Sequence, residues 1–279
     1  PNGLPRVGFD GVTNNAAVMV TDAPGYSKNV SNVLNLKPTL HIDLGVVTPG
    51  LYAEGYAAID MDFSGSNSLS RPFDLYLYDS ASGEYLNRKS ATGVISVGNS
   101  SGNSTSTTLN ARIGYDRIFN DVHNVSAFVA YEQNKYLYHY FNASRTNYLS
   151  EAIPELFAGS DQPEDKDNYG FSVASARVNF FGRLNYGYKD KYLLEATFRY
   201  DGSMNFAKGK RWGFFPSVSA GWILSEEPFW APVSKGISFF KLKASWGMMG
   251  NDSIPSYQYM SQYMFDYSGV TFGSGEATN

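Results

Sequence analysis

Charged residues recur at alternate positions inside apolar stretches of this chain: Arg112, Asp116, Glu132, Arg183, Glu195, Arg199, Asp201, Lys241 and Lys243. Side chains spaced this way can contact a passing solute, pair across neighbouring strands or solvate one face of a sheet. Their pattern does not suit catalysis. His41, His123 and His139 are dispersed, with no His-x-x-x-His or Glu-x-x-His pair to grip a transition metal. Hydrolysis by a serine nucleophile finds no supporting context, and Asp201-Gly202-Ser203 reads as a turn at a strand end. Glu226 and Glu227 are adjacent, so they do not face each other across a glycosidic bond. The run Asp161-Gln162-Pro163-Glu164-Asp165-Lys166-Asp167 offers carboxylates that could hold Ca²⁺, but it lacks EF-hand spacing and the sharp-turn Gly, so it reads as a solvated loop. The reading is therefore of a chain that is not an enzyme and needs no cofactor.

Aromatic residues offer a second chemistry. Tyr136, Tyr138, Tyr140, Phe141 and Tyr148 fall in a stretch, 136–170, that reads as a long connection. There they could stack on sugar rings, dock a covering protein or pack the loop itself. Tyr186, Tyr188 and Tyr192 surround one short turn, while Trp212, Phe214 and Phe215 start a strand at the opposite side; two aromatic girdles at membrane interfaces account for both groups.

The elements that must position these residues are strands. In residues 192–201, Tyr192, Leu194, Ala196, Phe198 and Tyr200 share one face and Glu195, Thr197, Arg199 and Asp201 the other. The same period appears in 34–46, 51–60, 109–116, 122–135, 178–188, 213–224 and 240–246, giving about eight antiparallel strands. Short turns at 48–50, Asn120-Asp121 and Lys189-Asp190 alternate with long segments at 61–108, 136–170 and 202–212, as outer-membrane barrels alternate short turns with long external loops. The connector 225–238 breaks that parity, and the Ser/Gly/Thr/Asn-rich 93–108 reads as a mobile loop tip.

Composition agrees. The 279 residues are 16% aromatic and 17% charged, with no Cys and a net charge of −4, where soluble domains carry about 25% charged residues. Mean hydropathy is −0.30 and no apolar run approaches the roughly 20 residues of a membrane helix. A transmembrane barrel combines these properties, because only alternate residues meet lipid. The absence of a basic patch argues against nucleic acid as a partner.

Longer motifs resemble a family. The run 183–192 (Arg-Leu-Asn-Tyr-Gly-Tyr-Lys-Asp-Lys-Tyr), Arg199-Tyr-Asp-Gly-Ser203 with Phe206, Arg211-Trp-Gly-Phe-Phe-Pro-Ser217, Gly221-Trp222, Ser225-Glu226-Glu227, Phe229, Lys241-Leu-Lys-Ala-Ser-Trp-Gly247 and Gly250-Asn251 are similar to SusC/RagA-type TonB-dependent outer-membrane transporters. Upstream, Tyr115-Asp-Arg-Ile-Phe119, His123-Asn124-Val125, Tyr131-Glu132 and Phe180-Phe-Gly-Arg183 add to the likeness. It spans residues 30–265 and departs from the family pattern at Met204-Asn205 and Met248-Met249. The resemblance implies an all-β, antiparallel transmembrane barrel segment of a larger wall, about 22 strands in plugged transporters of this size. It also implies import of oligosaccharides or peptides, coupling to the TonB complex, a SusD-like surface lipoprotein over the mouth, and a place in the Gram-negative outer membrane as a multi-pass barrel. The beginning Pro1-Asn2-Gly3 and the polar end 272–279 suggest that residues 1–279 are part of the barrel domain, with signal peptide, plug and barrel C-terminus lying elsewhere.

Alternation alone also describes a soluble or surface β-sandwich that binds carbohydrate. Strand length separates the two: 122–135 and 178–188 reach the roughly 9–11 residues of a membrane strand, beyond the 5–6 usual in soluble sheets.

Overall fold

A computed structural model describes residues 6–7, 15–89 and 93–261. Its strands, in chain order, are β1 (Arg6–Val7), β2 (Gly25–Leu36), β3 (Thr39–Asp43), β4 (Leu51–Ser70), β5 (Asp74–Tyr78), β6 (Tyr85–Lys89), β7 (Ser96–Phe119), β8 (His123–Thr146), β9 (Lys166–Tyr188), β10 (Tyr192–Ser203), β11 (Trp212–Ile223) and β12 (Lys241–Gly247). A nine-stranded sheet runs β12-β11-β10-β9-β8-β7-β4-β2, with β3 also pairing β4, and β1, β5 and β6 form a small separate sheet. The fold is that of an antiparallel barrel wall, and the sheet is open: β2 and β12 end it.

The chain divides into two compact units. The first holds the described residues up to Asp43, then Ala53–Arg112 and Glu132–Ala176; the second holds Leu44–Tyr52, Ile113–Tyr131 and the residues from Arg177 onward.

In the second unit the register fixes both faces. Tyr192 pairs with Tyr188 and Trp222, Leu194 with Tyr186 and Ala220, Phe198 with Gly182 and Pro216, and Tyr200 with Phe180 and Phe214. Ala220 and Trp222 continue to Ala244 and Leu242 on β12. This face is apolar, and many of its large side chains lie open, from 37% exposure at Trp222 to 61% at Trp246, while Phe198 and Tyr186 are half-buried among their neighbours. In a sandwich this face would be packed against a second sheet. Aromatic pairs mark its two ends, Tyr192 stacked on Trp222 near the Lys189-Asp190 turn and Tyr200 stacked on Trp212 at the far end. Eight residue steps at about 3.3 Å separate Tyr192 from Tyr200, about 26 Å along the strand or about 20 Å across a membrane at the usual barrel tilt, close to the height of an apolar band. Phe215 departs from the girdle expected for it, because it lies opposite Arg199 on the polar face.

In the first unit β2 and β4 pair from Gly25↔Ser70 to Leu36↔Ile59. Two small cores form there. Val18 packs with Leu75 and Leu77 of β5 and with Phe73, and Leu69, Val97 and Tyr148 form a second cluster with Tyr26, Ile95, Leu156 and Ala158.

Several expected boundaries are corrected. Residues 34–46 are two strands, because Lys37-Pro38 interrupts them; Pro38 has no N–H to give, and only its carbonyl is used, by Ala57 N at 3.3 Å. Residues 61–108 are largely strand: β4 reaches Ser70 and β7 starts at Ser96, so the Ser/Gly-rich stretch is ladder and not a loop tip. β8 likewise extends to Thr146 and β9 begins at Lys166, which shortens the expected 136–170 connection to 147–165.

Candidate functional site

The polar face of the first unit is organised around carboxylates. Glu54 on β4 receives Arg112 Nη2 at 3.0 Å, with His41 Nδ1 at 3.5 Å. Glu132 on β8 accepts from the Tyr56 hydroxyl at 3.2 Å and from Asn110 Nδ2 at 3.0 Å, while Lys37 Nζ sits 4.1 Å above the Tyr56 ring. Asn35 donates to Asp60 at 2.6 Å and Ser31 to Asp62 at 3.3 Å. Farther along the same strands the face loses its charges. Ser64 and Ser68 of β4 donate to the carbonyls of Gly102 and Gly98 on β7 at 2.9 and 3.2 Å, and Asn134 reaches Ser106 and Thr108. Beside this hydroxyl surface stands an aromatic ridge: Tyr138 and Tyr140 of β8 meet Phe171 of β9 at 5.7 and 5.6 Å between ring centroids, and Tyr140 also meets Tyr169. Gly102 makes room for it, since a Cβ there would lie 3.1 Å from the Tyr138 hydroxyl.

Tyr136, Tyr138, Tyr140 and Phe141 are therefore strand residues, contrary to the loop placement expected for them. The alternation splits the set, with Phe141 on the face opposite Tyr138 and Tyr140. Tyr148 does lie in the connection, but it is buried in the small core and its hydroxyl donates to Glu155 O at 3.1 Å, so it packs the loop. The acidic stretch is engaged internally. Asp161 pairs with Arg145 at 3.1 Å and Lys166 at 3.2 Å, and the hydrogen bond and charge of Lys166 lower its pKa, helped by Arg145. The Asp165 carboxyl is held low by the hydroxyls of Ser160 and Thr146 and by Asn147. Gly98-Asn99-Ser100-Ser101-Gly102 has the spacing of a nucleophile elbow, yet it lies inside β7 and not on a strand-to-helix turn.

In the second unit the expected polar residues again share one face and mostly find each other. Arg183 pairs with Glu195, its Nε 2.9 Å from Oε2. Arg199 grips Asp201 with two bonds of 2.9 and 3.1 Å and lies 5.3 Å over the Phe181 ring. Lys241 and Lys243 stand opposite Ile223 and Gly221, and Asp116 N donates to Gly50 O beside the 44–50 turn. Sequence reasoning missed three groups. Glu227 accepts from Tyr192 at 2.6 Å and Trp222 Nε1 at 3.1 Å, with Lys191 at 3.6 Å; the Tyr192 hydrogen bond leads in lowering its pKa. Arg177 binds Asp252 through two bonds of 2.8 Å. Tyr169 and Phe171 complete the ridge, and their alternation in the run 167–173 was the available signal.

The comparisons agree with this geometry. No family model matches the chain. Over 149 residues, 53% of the chain, it is 29% identical to TonB-dependent receptor P39 of Formosa agariphila, and over 120 residues, 41% of the chain, 35% identical to TonB-dependent receptor SusC of Bacteroides thetaiotaomicron. Among solved structures, the RagAB peptide importer in the open-open state superposes on 83% of the chain with a TM-score of 0.68 at 20% identity. The described sheet has the fold of a RagA-type barrel wall, and the sequence is similar to SusC-type TonB-dependent receptors. It spans 14% and 12% of the length of the two curated relatives and 24% of the RagAB chain. Within such a wall the roles of the two sheet faces differ: a SusC/RagA-type barrel turns its apolar residues to lipid and its polar ones inward. In the second unit Arg183, Glu195, Arg199 and Asp201 share one strand face, which Lys241 and Lys243 continue on β12.

Proposed function

We propose that this chain forms part of the wall of a TonB-dependent outer-membrane importer, and that its polar face lines the lumen through which a nutrient passes. The observation that carries the reading is the second unit's sheet, whose one face is apolar with its large side chains largely open, while the other carries its ions and hydroxyls, among them Arg183–Glu195, Arg199–Asp201 and Thr197–Ser217, with a few apolar residues between them. Such a sheet suits only a boundary between lipid and water. The chain performs no chemistry in this reading; it shapes a path. Partners are the surrounding outer-membrane lipid, a SusD-like surface lipoprotein, a plug within the lumen and, through that plug, the TonB complex.

The solute is an oligosaccharide. Beyond Asp62 the polar face of β4, β7 and β8 presents Ser, Thr, Gly and Asn beside the Tyr138–Tyr140 ridge. Hydroxyl-rich surfaces flanked by aromatic faces suit a neutral, polyhydroxylated solute better than a charged one. A peptide solute is the second reading, favoured by the likeness to the RagAB peptide importer.

Two measurements test this. Surface proteolysis of intact cells producing the full-length parent protein should cut within 147–165, in a protein recovered with the outer membrane; recovery in a soluble fraction would overturn the reading. Growth of a deletion strain on neutral glucan oligosaccharides against a peptide digest assigns the solute: a defect confined to peptides would overturn the oligosaccharide.

A further inference from the structure

The polar face of the second unit carries a segment that leaves the sheet. β12 ends at Gly247 opposite Ser217, and Met248 N still donates to Pro216 O at 2.9 Å. The chain then abandons the ladder. A Cβ on Gly250 would fall 2.2 Å from the Phe215 ring, so the backbone lies directly against that ring, and Phe215 belongs to the polar face. Two residues later Asp252 binds Arg177 of β9, a strand separated from β11 by β10 and so about 10 Å away at sheet spacing. Asn205, in the β10–β11 connection, fastens the segment twice, donating to Asp252 O at 3.0 Å and accepting from Ser256 Oγ at 3.2 Å. Residues 248–256 thus cross β11, β10 and β9 on the polar side. Their attachments are few and polar: Arg177 is 56% exposed, and Met249 contributes no buried surface at 96% exposure. Segments held in this way open at low cost.

We infer that residues 248–256 form a movable strap over the polar face of β9–β11, closed by the Asp252–Arg177 pair, and that its opening sets how much of this face a solute can reach. The inference rests on that face lining the lumen.

Ser203 provides the readout. It lies on the polar face opposite Arg177, is 8% exposed, and its hydroxyl accepts from the N–H of Asn205, the residue that fastens the strap, at 3.3 Å. The chain has no cysteine. Purified full-length transporter freed of any other cysteine and carrying Ser203→Cys is treated in detergent with a polyethylene-glycol maleimide. Adding Arg177→Ala or Asp252→Ala should raise the labelling rate about two- to fivefold, as expected for loss of an exposed ion pair that governs local opening. The reversed pair Arg177→Asp with Asp252→Arg should restore slow labelling. Unchanged rates in the single variants, or a reversed pair that labels as fast as they do, would overturn the strap. Tyr136→Cys and Leu194→Cys, on the polar and apolar faces, report the underlying reading separately: if Tyr136→Cys reacts no faster than Leu194→Cys, the polar face is not the watered lumen.

Discussion

At the scale of single residues, the sequence disclosed the face of each charged side chain but not its partner. Period-two alternation places Arg112, Glu132, Arg183 and Glu195 correctly, because the pleat leaves two directions for a side chain. Which residue lies across the ladder depends on register, and register is a property of two strands. Hence Glu54, Tyr56 and Asn110, which engage Arg112 and Glu132, were invisible. Gly102 shows the same limit: it reads as loop flexibility, and it proves to be the space left for Tyr138. Gly102→Val, whose Cβ would fall 2.8 Å from the Ser64 hydroxyl and 3.1 Å from that of Tyr138, should displace both side chains, and in the full-length transporter it should weaken binding of a neutral oligosaccharide several-fold, consistent with the roughly 0.5–1.5 kcal/mol of an aromatic contact. Isothermal titration measures this; unchanged affinity would remove the ridge from the solute path.

At the scale of elements, the short turns were legible and the strand lengths were not. Asn120-Asp121 and Lys189-Asp190 have positive φ at both residues, 49° and 58° in the first and 51° and 56° in the second, as two-residue hairpin turns require. Lysine has no local means of easing that conformation. Replacing Lys189-Asp190 by Asn-Gly should therefore stabilise the barrel by about 1 kcal/mol, seen as a higher temperature for loss of the compact band on gels of the full-length protein. Strand ends were misread because Gly and Asn are depleted in strands and Ser favours turns, whereas here the neighbouring ladder and bonds such as Ser64 to Gly102 O extend β4 and β7. The 147–165 connection carries a pH dependence. Asp161 and Asp165 have folded pKa values below those of the unfolded chain, so their contribution to the loop's anchorage is complete above about pH 4, the ordinary carboxylate value, and fades as pH falls through the depressed folded values. Protection from hydrogen exchange within 147–165, corrected for the pH dependence of the intrinsic rate, should fall only in that acid window, and Asp165→Asn should remove part of the acid-specific change; loosening that begins near neutrality would contradict the assignment.

At the scale of the whole molecule, fold class was the most legible property, since the alternation that writes a barrel strand also writes the solvent on each side. A soluble sandwich shares that alternation, and the difference lies in what covers the apolar face. Ala220 and Ser219 are adjacent on β11, equal in strand and depth, with Ala220 opposite Leu194 and Ser219 opposite Glu195. Ala220→Arg should cost about 2–4 kcal/mol if its face meets hydrocarbon, while Ser219→Arg, facing the polar side near Glu195, should cost little. The yield of assembled full-length protein in the outer membrane, measured for both variants, compares the two faces directly. In a sandwich Ala220→Arg would likewise be harmful, but Ala220→Leu would then overpack a closed core; against lipid it has nothing to displace, and its yield should equal that of the parent. Loss of assembly in Ala220→Leu would mean that protein, and not lipid, covers this face.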